Sequence, residues 1–442
     1  MNYININTND LSNALQDIIG VVTGGKHLPI LSHVLIESFK GTVSLTATDA
    51  EVQVTRKVKA DETPSDFRTT VEARKLYDIV KNIYNENIKI SIEGDQEHGN
   101  PDNNFIIQTS RGKYKLRSHH PNEFPLFDSA DKEETLTANQ DDLKKLFNKS
   151  SFAIAHTTRQ EDAPQAWMTG LIIEASPNKL MVLSTDGHRF VKSLTNIDKA
   201  NIVERSVILP RKAVLEIQRV IQNEGKVKLL FTDTYITFAF NEITLTSKLI
   251  DKSIPSAVYG VIPDETEINI LIKTENIKPA LQRVQTITEK GPMGFVRINI
   301  DDNKLTIESY NKDQERAIEA LDIDSTGESI SMGFNITYLL DVITASNGEL
   351  INIGLKTRPK KYEPTDFVVK NKEGGHDVVD ANNNAVESFD SENDSKMLAL
   401  AYANKNIDML SKDSNVRAID KMLLTDPSDP DTKYLVMPLK NY

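Results

Sequence analysis

Leu183-Ser-Thr-Asp-Gly-His-Arg-Phe-Val191 decides how this chain is read. It starts as a strand, breaks at Asp186-Gly187, and resumes with a basic residue between apolar ones. An Asp-Gly break between apolar runs signals a hairpin turn or a bulge. Thr-Asp recurs in Leu45-Thr-Ala-Thr-Asp49, 137 residues earlier (Asp49 to Asp186), again with a strand on either side. A turn repeated at that distance raises the question of whether the whole chain repeats.

Repeats of larger units are legible outward from this turn. A first helix, Asp10 to Val22, sets Leu11, Leu15, Ile18 and Val22 on one face. Its counterparts are Asp141 to Phe147 and Glu275 to Val284. A second helix type follows each: Glu72 to Val80, Pro210 to Ile217 and Asn335 to Ile343. Behind each second helix lies an alternating strand, at Ile88–Ile92, Val227–Phe231 and Ile351–Leu355. Short strands fill the stretches between the two helices. The order strand, helix, strands, helix, strands therefore occurs three times, which gives an α+β chain of three similar domains at 1–128, 129–262 and 263–442. The third is interrupted at about 357–418 by a segment rich in Asn, Asp, Glu, Lys and Gly, a composition expected to stay disordered on the outside. Within it, Lys396 to Leu410 has the pattern of one amphipathic helix.

The chain has 442 residues, 39% hydrophobic and 26% charged, ample for several cores. It has no Cys, which excludes disulfides, thiolate metal sites and Cys nucleophiles. Met1-Asn-Tyr-Ile-Asn-Ile-Asn7 alternates like a strand and lacks the character of a signal peptide. With no apolar run near the roughly 20 residues of a membrane span, a cytoplasmic location and no membrane partner are expected. The net charge of −12 argues against bulk attraction for nucleic acid. Yet Arg74, Lys75 and Lys81, then Arg211, Lys212 and Arg219, lie opposite the apolar faces of their helices, and Lys145 shares a face with Lys149. Basic helical surface segregated from acid elsewhere would neutralise phosphates without reading bases.

Catalytic motifs are weak. Gly20-Val-Val-Thr-Gly-Gly-Lys26 has phosphate-loop spacing, but His27 replaces the Ser or Thr that would hold magnesium, and the loop follows a helix. It is read as a helix stop. The eight His residues make no metal-binding spacing, and no metal or cofactor is expected. Asp49 and Asp186 are the motif-borne carboxylates that a metal-dependent nucleic-acid enzyme, the alternative reading, would need; their equivalent positions suit a shared turn better. Asp186 is expected to make its turn, with His188 and Arg189 lining a groove.

Leu28-Pro-Ile-Leu31, Ala47-Thr-Asp49, Thr185-Asp-Gly-His-Arg189, Leu209-Pro-Arg-Lys212, Gly333-Phe-Asn335, Tyr338 to Val342 and Tyr434-Leu-Val-Met-Pro438 together resemble the bacterial DNA polymerase III beta subunit, the sliding clamp. The resemblance covers nearly the whole chain outside the insert. It implies three clamp domains per chain, each with two helices and a curved antiparallel sheet, in a head-to-tail homodimeric ring of six domains. The ring would encircle double-stranded DNA without sequence specificity and tether DNA polymerases and other proteins bearing a clamp-binding motif. It would be opened by a clamp loader and have no catalysis of its own.

Site residues follow by similarity. A partner-peptide pocket would use Met168, Thr185, Gly187, His188, Arg189, Phe190, Pro255, Met437, Pro438 and Leu439, with Ile419 and Lys421 at its edge. Leu439 to Tyr442 and Tyr259-Gly260 depart from the family pattern and alter the rim. DNA contacts would fall at Lys26, Arg74, Lys75, His156, Arg211 and Lys212. A dimer interface would set Lys75, Arg111, Lys113 and Tyr114 against Thr286, Ile287, Asp313, Glu315 and Glu319.

Overall fold

The computed structural model describes residues 3–24, 28–61, 67–93, 104–127, 134–156, 165–198, 200, 202–289, 294–301, 303–324, 330–359, 368–372, 375–379, 385–389 and 417–439. They fall into two compact units, Met1–Val258 with Asp431–Lys433, and Tyr259–Pro430 with Tyr434–Tyr442.

One module, a strand leading into a helix and then three antiparallel strands, builds the first unit four times. Tyr3–Asn7 leads into helix α1 (Thr8–Ile18) and then His33–Phe39, Thr42–Thr48 and Val52–Lys59. Phe67–Glu72 leads into α2 (Ala73–Val80) and then Asn87–Glu93, Asn104–Gln108 and Lys113–Arg117. Glu134–Asn139 with α3 (Gln140–Ser150), and Arg205–Pro210 with α4 (Arg211–Val220), begin the other two. The lead strands are exchanged between modules. Tyr3 pairs with Ser91 in the second module, and Glu72 pairs with His33 in the first. Glu134–Asn139 and Arg205–Pro210 trade places in the same way. Because each sheet needs a strand from the other module, neither module can close its sheet alone.

Val52–Lys59 also pairs with Ile243–Lys248, with Val52 opposite Ser247, and joins two four-stranded sheets into one of eight strands. The helices bury the apolar stripe that their spacing predicts: Leu11, Leu15 and Ile18; Leu76 and Val80; Leu143, Leu146 and Phe147; Val214, Ile217 and Val220. These side chains and the inward residues of the strands form one continuous core. Each such burial contributes about 1.5–3 kcal/mol.

In the second unit, Ile268–Lys273 leads into α5 (Thr274–Gln285), and Ile330–Asn335 into α6 (Ile336–Ser346). The exchange recurs, with Ile270 opposite Ile353 and Ile298 opposite Met332. Asn335 caps α6, its side-chain oxygen accepting from the Thr337 amide at 2.9 Å. The helices run one to three residues past most of the sequence-based ends, where capped and tightened turns extend the periodic core. Helix α1 instead stops at Ile18, short of Val22.

The expectation of a disordered insert is corrected for the stretches of it that the structure describes. Val368–Lys372, Gly375–Val379 and Ala385–Phe389 form their own antiparallel sheet, with Lys372 opposite Gly375. Each strand carries valine, whose branching favours extended backbone, and average composition hid these short runs. The proposed helix at Lys396 to Leu410 lies outside the described residues.

Candidate partner groove and nucleic-acid face

In the first unit, the residues assigned to a partner groove centre on the Thr185–Arg189 turn. Thr185 is buried, and its hydroxyl donates to the Arg189 carbonyl at 2.7 Å while accepting from the Gly187 amide at 3.1 Å. Asp186 Oδ1 accepts from the amides of His188, at 3.0 Å, and Arg189, at 3.1 Å. Gly187 sits at φ +89°, the left-handed region that favours glycine. Asp186 Oδ2 takes Arg189 Nε at 2.9 Å, and the far end of the guanidinium donates to the Phe152 carbonyl at 2.7 Å. That guanidinium also lies 5.0 Å from the centre of the Phe152 ring. Arg189 is thus held in one orientation. His188, in the turn before the strand Arg189–Asn196, is exposed, and Phe190, inside that strand, is buried.

Met168, on the 3-10 turn Ala166–Thr169, is half-buried, and Pro255 is exposed. In the second unit, Met437, Pro438 and Leu439 are half-buried past the end of Asp429–Val436, and the Leu439 amide donates to the Gly333 carbonyl at 2.9 Å. Lys421 Nζ donates to the Val261 carbonyl at 2.8 Å, and Ile419 is buried. A bulge after Lys356 interrupts the register between Lys421 and Ile419.

The Thr48–Val52 turn repeats this design atom for atom. Thr48 Oγ1 donates to the Val52 carbonyl at 3.0 Å, and Asp49 Oδ1 accepts from the amides of Glu51, at 2.9 Å, and Val52, at 2.7 Å. Asp49 Oδ2 takes Lys212 Nζ where Asp186 takes Arg189. Both carboxylates are occupied as turn makers, which removes the motif-borne candidates for a catalytic metal site.

Arg74 and Lys75 are exposed on α2, Lys75 pairing with Glu72 at 2.5 Å. Arg211 and Lys212 begin α4, half-exposed, and His156 is exposed. Lys26 lies outside the described residues. Arg219 does not belong with them. Its guanidinium donates to the carbonyls of Gln16, at 2.7 Å, and Asp17, at 2.5 Å, in the last turn of α1. Helical spacing gave its face but not its partner. Nor is every helix basic: α1 carries Asp10 and Asp17, and α6 only Asp341.

Of the residues assigned to dimerisation, Lys113 and Tyr114 lie on Lys113–Arg117, at the end of its sheet, and Glu319 on Arg316–Asp322, at the end of another. Within the chain, Lys113 pairs with Glu93 at 2.9 Å. Arg283 holds Glu319 through two bonds, at 2.7 and 2.9 Å, and its proximity keeps the Glu319 carboxyl below its usual range. Arg111 and Thr286 are exposed and Ile287 is half-buried. The Asp313 and Glu315 amides both donate to Asn311 Oδ1 at 3.0 Å. Phe152 was missed by sequence reasoning, since nothing local ties it to an arginine 37 residues away.

Models of the N-terminal, central and C-terminal domains of the DNA polymerase III beta subunit match residues 1–128, 137–256 and 260–367. The chain belongs to the DNA polymerase III beta subunit family. The beta sliding clamp of Pseudomonas putida is 31% identical over 340 residues, 77% of this chain and 89% of that one. The Escherichia coli beta sliding clamp is 28% identical over 343 residues, with the same coverage. Among solved structures, the Pseudomonas aeruginosa DNA polymerase III subunit beta superposes with TM-score 0.77 at 24% identity, over 99% of both chains. A sliding clamp of that organism bound to griselimycin gives 0.76, also at 24% identity and over 99% of both chains. The clamp described here is a processivity factor, not a catalyst, and its partners are DNA and polymerase. Among the described residues, no helix is long and apolar enough to cross a membrane.

Proposed function

We propose that two copies of this clamp close head to tail into a six-domain ring around duplex DNA, in the cytoplasm, opened by a clamp loader. Each chain supplies three domains, bounded near residues 128 and 262. The observation that carries this reading is a pair of sheet edges of opposite character. Lys113–Arg117 ends its sheet with Lys113, Lys115 and Arg117, while Arg316–Asp322 ends another with Glu319 and Asp322 against one cation, Arg316, which is paired with Glu308 at 2.5 Å. Unpaired strand edges template pairing with another chain. Tyr114 and Ile318 add apolar surface, 40% and 51% exposed. Lys75, Arg111, Lys113 and Tyr114 would then meet Thr286, Ile287, Asp313, Glu315 and Glu319 of a second copy.

DNA would pass the helices, with Arg74, Lys75, Arg211 and Lys212 near phosphates, and with His156 and Lys26 as further contacts by similarity to the family. The groove around Met168, Thr185–Phe190, Pro255, Met437–Leu439, Ile419 and Lys421 would receive partner segments with Gln followed by Leu or Phe. Apolar side chains such as Met168, Met437 and Leu439, with one fixed arginine, Arg189, are the residue types that role needs.

The test is topological. At a salt concentration that abolishes binding to linear DNA, protein loaded on a closed circle should be retained, then lost when a single cut linearises it. Equal retention before and after the cut would refute the ring.

A further inference from the structure

Two parts from which the groove is assigned, its 3-10 turn and its Thr-Asp turn, recur in the first domain at an offset of 137 residues. The 3-10 turn Pro29–Ser32 precedes His33–Phe39 as Ala166–Thr169 precedes Gly170–Ser176, so Leu31 stands where Met168 stands. The Thr48–Val52 turn repeats Thr185–Arg189, and Gln53 takes the place of Phe190. Lys248 ends its strand as Val436, the residue before Met437, ends the last strand of the chain. Tyr235 lies opposite Lys248 in the register.

In this first copy the framework is occupied. The linker leaving the first domain, Phe124-Pro-Leu-Phe127, anchors Phe124 in a cluster with Ile30, Leu31 and Leu35. Three residues on, the Phe127 amide donates to Gln53 Oε1 at 3.0 Å. The Phe127 ring packs on Tyr235 at 5.1 Å between centroids, with Lys248 Nζ 5.7 Å from its centre. Leu126 points outward, 41% exposed. The linker leaving the second domain reads Ile254-Pro-Ser-Ala257, the same hinge 130 residues later, and Ser256 and Ala257 are exposed. It has no aromatic side chain at the corresponding place.

We infer that Phe127 is a built-in ligand: the chain's own linker fills the first copy of the groove, which would otherwise accept an extended segment bearing Leu-Phe. This rests on the groove reading given above. It also explains how a chain with a repeated framework presents one groove per subunit.

The experiment is a calorimetric titration of the full-length protein with a synthetic pentapeptide that begins with Gln and ends in Leu-Phe. Wild type and Phe127→Ala are compared, with folding checked by circular dichroism. The variant should bind one more peptide per chain than wild type. An equal number in the two proteins overturns the inference, whatever that number is. The wild-type number judges the groove reading separately: one per chain supports it and none defeats it. If Phe127→Ala does not fold, Phe127→Val, which retains part of the apolar contact, takes its place with the same readout.

Discussion

Asp186 joins three donors in one turn, the amides of His188 and Arg189 and the Arg189 side chain. Removing it strands part-buried donors, so Asp186→Ala should lower the unfolding free energy by about 1–3 kcal/mol in urea denaturation. Asp186→Asn keeps one acceptor and should cost less. Both should weaken binding of Leu-Phe peptides, because Arg189 loses its fixed pose. His33 is a second residue with a defined consequence. Its ring meets His119 edge-on at 4.6 Å, with Nδ1 3.2 Å from the Pro29 carbonyl and 3.2 Å from Ser32 Oγ. Burial first, and then His119 and Lys75, hold its imidazole below the ordinary value, against the pull of the Pro29 carbonyl and Glu72. Above about pH 6.5 the ring is neutral folded or unfolded, and no stability is lost. Below it the unfolded chain takes a proton that the folded chain resists, so stability falls as pH drops toward the depressed folded value. Urea unfolding at pH 7.5 and 5.5 should show that loss, and His33→Gln should reduce it.

Among the elements, α1 and α4 are joined end to side. The carbonyls of the last turn of α1 carry partial negative charge, and Arg219 supplies the cation that α1 lacks in its own last turn. Glu216 holds Arg219 at 2.9 Å, and Arg56 reaches Asp17 at 3.4 Å. Gly20 lets the chain pass this cluster: a Cβ there would fall 2.4 Å from Glu216 Oε2 and 2.7 Å from Arg219 Nε. Those atoms end flexible side chains, so Gly20→Ala should displace Arg219 rather than unfold the domain. Arg219→Ala and Gly20→Ala should each cost about 0.5–1.5 kcal/mol. Their double variant should cost little more than either alone, since both remove one contact. Additive losses in chemical denaturation would show two separate effects.

For the whole molecule, the proposed ring depends on a junction that exposed ion pairs cannot hold, each contributing about 0–1 kcal/mol. Several of the charges assigned to it already have partners in their own chain, among them Lys113 with Glu93 and Glu319 with Arg283. Apolar contact at Tyr114 and Ile287 should therefore dominate. Ile287→Asp should give monomers at micromolar concentration by light scattering, while Glu319→Gln should leave the dimer largely intact. A dimeric Ile287→Asp protein would refute this interface.

The residues by themselves determined much of this protein. Periodic apolar positions marked the six helices of the described residues, alternation marked strands such as Ile88–Ile92 and Val227–Phe231 but not those of the insert, and the contiguous run Thr185 to Phe190 carried its own turn, because every bond in it spans at most four residues. What they left open was partnership across the chain. A buried stripe tells which face of a helix turns inward but not what meets it. The exchange of lead strands, the placement of Arg219 on carbonyls more than 200 residues away, and the seat of Phe127 on Tyr235 depend on which modules share a sheet. Only tertiary structure decided these, because closing a sheet with a strand from another module is a long-range event, and no local propensity encodes it.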